Sequence, residues 1–525
     1  MISDCCSVGR NVSFRDRLTA NHGYHRSDYL KYDEAPRTSW EGLSREVVVA
    51  NLQQELRTLT GKRRKDEPNY YVEDPPSLIT ESFLHSFQVG TGGSIFTDIL
   101  PRIQNAQSEI IFVTCFWAKS ASLEKLGETL KGLSQKSLRA MTTGAPPIRV
   151  RICFSSLSVG QKLFQTNSLE GRVYEPAEYV QKLGLPSHDE LSGLDLEVKC
   201  IFIKPFSVMH PKFIIVDRSL VWLPSCNVSW EEWFEGCLAL SGPVVSQFLT
   251  FWQHFWNRGK APSSIPQSLD PGETAIALHR RFAVVSEPPN TLSTLEGTTG
   301  VAIPTVFLPS PHHANPRFGM PGPPPQTPLN AFVLHRLRDA NFDIYIQTPN
   351  VTCTAVVKAL HHALKNGVNV HIVTSERLML AEQLGTAGTT TAREIKGLIK
   401  RYRKLPTETP IYDTPRDPPR HPPHRGRLRV EYYEPRPAAG DGEPVQSHLK
   451  LTIVDDRFIV LGSGNMDRAS FYTSQELGVA FYSDRLASDI QDLLRKNLEG
   501  RRKLVFDSDE EARSVPGEAD GMELV

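Results

Sequence analysis

The chain lacks the long apolar run that a membrane span needs: no stretch of its 525 residues approaches 18 apolar residues in succession. Its first ten residues hold no apolar signal core, so neither a signal peptide nor a transmembrane segment is expected. It also lacks net charge, with 59 basic residues against 59 acidic and a pI of about 7.3. That balance removes a global basic field for gripping nucleic acid, while a local groove could still be basic. Cysteine is sparse, eight residues with none at C-x-x-C spacing, and several fall inside apolar strand-like runs. Reduced, buried thiols are expected, in an intracellular protein that is cytoplasmic or peripheral to membranes. Carboxylates do not cluster as oxygen ligands. The pairs His312-His313, His361-His362 and His421-x-x-His424 have no Cys or carboxylate partners at ligand spacing. No metal and no cofactor is therefore expected.

What the chain does have is one pattern written twice. His210-Pro211-Lys212 leads through Phe213-Ile214-Ile215-Val216 to Asp217, and six residues later comes Pro224-Ser225-Cys226-Asn227. His448-Leu449-Lys450 leads through Leu451-Thr452-Ile453-Val454 to Asp455, and six residues later comes Gly462-Ser463-Gly464-Asn465. Both fit H-x-K-x4-D-x6-[G/P]-S-x-N without insertion. A single match arises by chance about once in 10^6 starting positions. Two in one chain are not chance.

The surroundings repeat as well, which marks an internal duplication. A short amphipathic helix at 99–106 precedes an apolar strand at 109–116, and 331–340 followed by 343–348 repeats the pair. A helix and a strand then follow in each half, 123–133 with 148–153 and 354–365 with 368–373. Alternating strands and helices predict β-α-β units on a mainly parallel sheet, so each half is expected to be α/β. Residues 1–80 read as a weakly patterned N-terminal extension, 81–258 as the first domain and 259–326 as a linker, proline-rich at its end. Residues 327–500 form the second domain, with a Pro/Arg-rich insertion at 401–444, and 501–525 are an acidic tail.

On an extended strand residues i and i+2 share a face, so His210 pairs with Lys212 and His448 with Lys450. Ser225 with Asn227, and Ser463 with Asn465, do the same. Each half then offers an imidazole, an ammonium, a hydroxyl and an amide, a set suited to a phosphodiester. Imidazole can attack or donate a proton, and lysine, Asn and Ser can hold the nonbridging oxygens. Ser225, Asn227, Ser463 and Asn465 are the expected phosphate-binding residues. Trp230 and Trp233 could rim a lipid or base pocket, and Lys62-Arg63-Arg64-Lys65 reads as a solvated loop.

These motifs resemble the phospholipase D superfamily, whose signature is the paired HKD motif. The second half extends the likeness: Gly462-Ser463-Gly464-Asn465-Met466-Asp467-Arg468-Ala469-Ser470, then Glu476, is similar to the family's GSxNxDxRS…E continuation. The resemblance covers about residues 85–257 and 327–500. It implies two similar α/β domains packed as a pseudo-dimer within a monomer, around one shared cleft. It implies catalysis through a phosphohistidine, with His210, Lys212, Asp217, His448, Lys450 and Asp455 as catalytic residues. It assigns Glu476 to a catalytic histidine, and Glu235 takes the matching place in the first half. Pro211, Pro224, Cys226 and Ala469 depart from the family pattern without removing a reacting group. The substrate reading that leads is a phospholipid, whose phosphatidyl group is hydrolysed or transferred, with peripheral membrane contact. A metal-independent nucleic-acid phosphodiesterase is the alternative, and a non-catalytic scaffold is the third.

Overall fold

Apolar runs of four to seven residues, bounded by hydroxyl caps and tight turns, become the buried strands of this fold. The computed structural model describes residues 49–54, 57, 71 and 74–514, except 159–160, 162–167, 204–206, 230, 259–274, 284–288, 290, 298–299, 312–321, 407–424, 438–439 and 441. Cys5, Cys6, Lys62 to Lys65, Trp230, His312, His313, His421 and His424 lie outside the described residues. So does most of the expected N-terminal extension.

The first half runs β1 (Ile79–Thr91), α1 (Gly92–Ile103), β2 (Glu109–Val113), α2 (Ala121–Met141), β3 (Ile148–Phe154), β4 (Leu194–Cys200), β5 (Phe213–Val216), β6 (Leu220–Pro224), β7 (Trp233–Ser241) and α3 (Val244–Phe255). After β8 (Ala302–Ser310) the second half repeats the order. It runs α4 (Pro328–Arg338), β9 (Asp343–Thr348), α5 (Thr354–Lys365), β10 (Asn369–Thr374), α6 (Leu380–Ala387), α7 (Thr391–Tyr402), β11 (Leu428–Tyr433), β12 (Gln446–Ser447), β13 (Leu451–Val454), β14 (Phe458–Gly462), β15 (Glu476–Tyr482), α8 (Asp484–Asn497) and β16 (Arg502–Asp507). The same device opens the first helix of each half. The hydroxyl of Thr91 accepts from Ser94 N–H, and that of Thr327 from Asn330 N–H.

Strands β2, β3 and β4 are parallel neighbours, as are β9, β10 and β11. The motif strands run the other way. β5 pairs antiparallel with β2 and then with β6, which pairs with β7; β13, β14 and β15 copy this against β9. The sheet is thus mixed rather than mainly parallel. The loops after β5 and β13 are too short for the crossover that parallel pairing requires.

Between the halves lies a pairing that the sequence hid. β1 lies antiparallel to both β7 and β8, and β8 in turn to β15. β8 therefore stands to the second half as β1 does to the first. The two strands meet each other, Thr80 opposite Thr305, so one hydrogen-bonded sheet joins the repeats. Residues 302–310, expected inside a linker, form this junction strand. Pro304 and Pro309 disguise it, because proline usually demotes a run from a strand interior. Two further segments belong to the fold rather than to loops. β11 sits inside the expected 401–444 insertion, and β16, from the expected acidic tail, pairs with it. The charged Arg429 and Arg502, paired with the buried Glu431, break up the apolar signal.

One face of the first half packs α1 and α2 over Ile110, Phe112, Val150 and Ile152. The other packs Phe248 and Phe251 of α3 against Phe213 of β5 and Phe307 of β8, with ring centroids 5.0–6.2 Å apart.

Candidate active site

The segments that carry the histidines pair with no strand of their own half's main sheet, and each is held by the other half. His210 N–H donates to Gln475 O at 3.0 Å, and Gln475 N–H returns a bond to Val208 O at 3.0 Å. In the second half β12 pairs parallel with the start of β7, and His448 N–H donates to Phe234 O at 2.8 Å. Pro211, which has no N–H to give, sits in one of these unpaired stretches, where it costs no ladder bond.

This exchange of segments delivers each histidine to the opposite glutamate. His210 Nδ1 lies 2.9 Å from Glu476 Oε2, and His448 Nδ1 lies 2.8 Å from Glu235 Oε1. A carboxylate can only accept, so Nδ1 carries the proton in both rings and Nε2 keeps its lone pair. Glu235 and Glu476 are 3% and 1% exposed, so each is a buried anion. Burial opposes their ionisation, but the neighbouring histidine and lysine and the serine hydroxyl outweigh it and hold both carboxyls below their usual range.

The lysines close the cluster. Lys212 Nζ donates to His210 O at 2.8 Å and Lys450 Nζ to His448 O at 2.7 Å. Lys450 Nζ also lies 2.8 and 2.9 Å from the two ring nitrogens of His448. Burial, and then the lysines, push both imidazoles toward the neutral form, His448 down to about 3. Burial also lowers Lys450, to about 7. The two rings differ in access. His210 keeps 15% of its side chain exposed and His448 only 3%, under the ring of Trp233 at 4.8 Å.

Four of the expected site residues do other work than expected. The Ser225 hydroxyl donates to Glu235 and accepts from Gly236 N–H, and the Ser463 hydroxyl donates to Glu476 and accepts from Leu477 N–H. A hydroxyl has one proton, and here it is spent, so the serines orient the glutamates instead of facing a phosphate. The hairpin register, invisible in the spacing, brings each serine to its glutamate. Asp217 and Asp455 lie at the far ends of β5 and β13, away from the histidines. Asp217 accepts from the backbone of Gln107, Ser108 and Glu109 and pairs with Arg281. Asp455 accepts from the backbone of Asn341, Phe342 and Asp343. Each aspartate opens a hairpin turn with φ near +50°, a conformation that Asp tolerates.

The two asparagines part company. Asn227 Oδ1 accepts from Cys115 and Phe116 N–H, which aims its NH2 away from that backbone. Asn465 instead donates from Nδ2 to Asp467 at 2.9 Å, and its buried Oδ1 has no partner. Trp233, a candidate pocket rim in the sequence, packs on His448, and Asp467, which follows the second motif, holds Asn465. Cys226, beside Asn227, is buried and its thiol pushed well up by burial, so it is not a reactive thiol.

Residues 333–498 match the family model described as the cardiolipin synthase, PLD-like domain. No curated protein matches the chain. Among solved structures, the phosphatidylserine synthase of Haemophilus influenzae Rd KW20 is similar, with 15% identity over 88% of this chain and 93% of that one and a TM-score of 0.49. The phospholipase D family member Nuc from Salmonella typhimurium is similar over 38% of this chain and 96% of its own, at 17% identity and a TM-score of 0.25. NucT from Helicobacter pylori is similar over 32% of this chain and 87% of its own, at 15% identity and a TM-score of 0.23.

Proposed function

We propose that this chain, which belongs to the phospholipase D superfamily, is a phosphodiesterase that hydrolyses or transfers a phosphatidyl group through a phosphohistidine. The observation that carries the reading is the pair of crossed His–Glu contacts, one from each half to the other, with a lysine beside each ring. The match of residues 333–498 to a cardiolipin synthase domain supports a phospholipid substrate.

His210, the more accessible ring, attacks phosphorus through Nε2. The P–O bond to the leaving alcohol breaks as His448 hands its Nε2 proton to that oxygen. In the second step the now neutral His448 takes a proton from water or from an acceptor alcohol. The oxygen so freed attacks phosphorus, the P–N bond breaks, and His210 is regenerated. Lys212, Lys450 and the Asn227 amide hold the nonbridging oxygens throughout.

Charge counting explains how His448 is protonated in the loaded site, although burial keeps it neutral in the empty one. Glu235 and Glu476 balance Lys212 and Lys450. An arriving phosphodiester adds one negative charge, and a proton on His448 restores neutrality. Substrate binding is therefore coupled to uptake of a proton.

His210→Ala and His448→Ala test the proposal directly. Each should abolish turnover of phosphatidylcholine or phosphatidylglycerol, and the double variant should be scarcely worse, because the two groups act as a unit. Independent, additive losses would overturn the shared site. Chelation by EDTA should leave the rate unchanged, since charge comes from the lysines.

A further inference from the structure

On the His448 side of the cleft, the rim carries apolar side chains that stand in solvent. The motif residues lie at the C-terminal ends of β9 and β10, because β13 runs antiparallel to β9 with Leu451 opposite Gln347. Just past β10, the Ser375 hydroxyl donates to Ser447 O at 3.0 Å, one residue before His448. The α6–α7 arm starts from this anchor. Along it Met379 is 36% exposed, Leu380 38% and Leu384 55%. Gln383, 2% exposed, ties α6 down from its inner side, accepting from Thr391 N–H at 2.7 Å and donating to Leu378 O at 2.6 Å. The leucines are thereby left on the outer side. On α7, Ile395, Leu398 and Ile399 are buried, while Arg393, Lys396 and Lys400 form an exposed stripe at helical spacing.

Single exposed leucines are ordinary on a protein surface. Three exposed apolar residues within six positions beside the cleft are a different matter, and so is the charge next to them. Residues 376–404 hold seven Lys and Arg against three Glu, in a chain whose charges cancel as a whole. Apolar knobs flanked by basic side chains complement a lipid bilayer with anionic headgroups, which attracts the cations and admits the knobs to its interface.

We propose that the α6–α7 arm docks this protein on an anionic phospholipid bilayer. Met379, Leu380 and Leu384 enter the headgroup region, and Arg393, Lys396 and Lys400 contact lipid phosphates. This rests on the lipid-directed reading above and adds to it the surface by which a lipid reaches the cleft without leaving its membrane.

The test is cosedimentation of the full chain with vesicles of phosphatidylcholine alone or with about one third phosphatidylglycerol added. Wild type should partition onto the anionic vesicles, and increasingly less so as salt is raised. Leu380→Asp/Leu384→Asp should cut that partition by about tenfold or more. Arg393→Glu/Lys396→Glu should erase the preference for anionic lipid. Circular dichroism and turnover of soluble bis-p-nitrophenyl phosphate should stay at wild-type values in both variants, which shows that they fold. Wild type that ignores anionic vesicles, or variants that bind like wild type, would overturn the docking surface. Loss of a self-associated species in the leucine variant, with partition unchanged, would overturn it in favour of a second copy of the chain. Because partition is read without turnover, vesicle binding by a protein that cleaves no phospholipid supports the docking surface and counts against the catalytic reading alone.

Discussion

A glutamate reaching in from the other repeat sets the tautomer of each motif histidine, and burial, aided by the lysine beside it, holds the ring neutral. Lys450 is the sensitive member, because burial brings its ammonium down to about 7. A base whose pKa is lowered is charged below that value and neutral above it. The free enzyme should therefore lose kcat/KM as pH rises through about 7, the limb that reports groups of the free site. Lys450→Arg, whose guanidinium stays charged, should move that limb upward by more than about one pH unit even where it lowers the peak rate. A limb that stays put would assign it to another group.

At the same scale, Asp455 is a test of what the motif aspartate is for. Its carboxylate satisfies backbone N–H groups at three successive residues leading into β9. Asp455→Ala should cost about 3 kcal/mol of stability by denaturant unfolding, since buried donors are left unpaired. The activity of the fraction that remains folded should be largely kept. The sequence showed the identity of these residues but not their direction. It placed His, Lys, Ser, Asn and Asp in one register, and only the hairpins reveal that Ser225 and Ser463 turn to glutamates while the aspartates sit at the far turn.

Among elements, β8 does the most that its sequence conceals. The helix at 354–365 and the strands at 109–113, 148–153 and 343–348 were legible because each is a single apolar pattern cut off by caps or glycine. β8 carries two prolines and follows a weakly patterned stretch, so it reads as connection. Yet it hydrogen-bonds to both halves, and Phe307 at its centre is fully buried between Phe248 and Phe251. Phe307→Ala should remove this packing and destabilise the protein by about 3–4 kcal/mol, as in other large-to-small core changes. Calorimetry would check it. A loss under about 1 kcal/mol would return the segment to the status of a linker.

In the whole molecule, duplication yields a single centre because each repeat lends its histidine segment to the other. The stretch before His210 pairs beside Glu476, and the stretch before His448 pairs beside Glu235. Neither repeat can complete a His–Glu pair from its own chain segments. Two motifs in one chain made a shared cleft readable from sequence, whereas the crossing of the contacts was not. It depends on pairings between residues more than 200 positions apart, such as His448 with Glu235.

The central claim is that His210 forms a covalent bond to phosphorus while His448 serves as its acid and base. Phosphoramidates survive alkali and break in acid, so the intermediate can be caught. Phospholipid labelled in the retained phosphoryl moiety is mixed with wild type and with His448→Ala, quenched in alkali and digested. Label should appear on the peptide containing His210, and His210→Ala should carry none. Label confined to the His448 peptide would reverse the two roles. Folded wild type that turns phospholipid over yet leaves no histidine labelled would contradict the account.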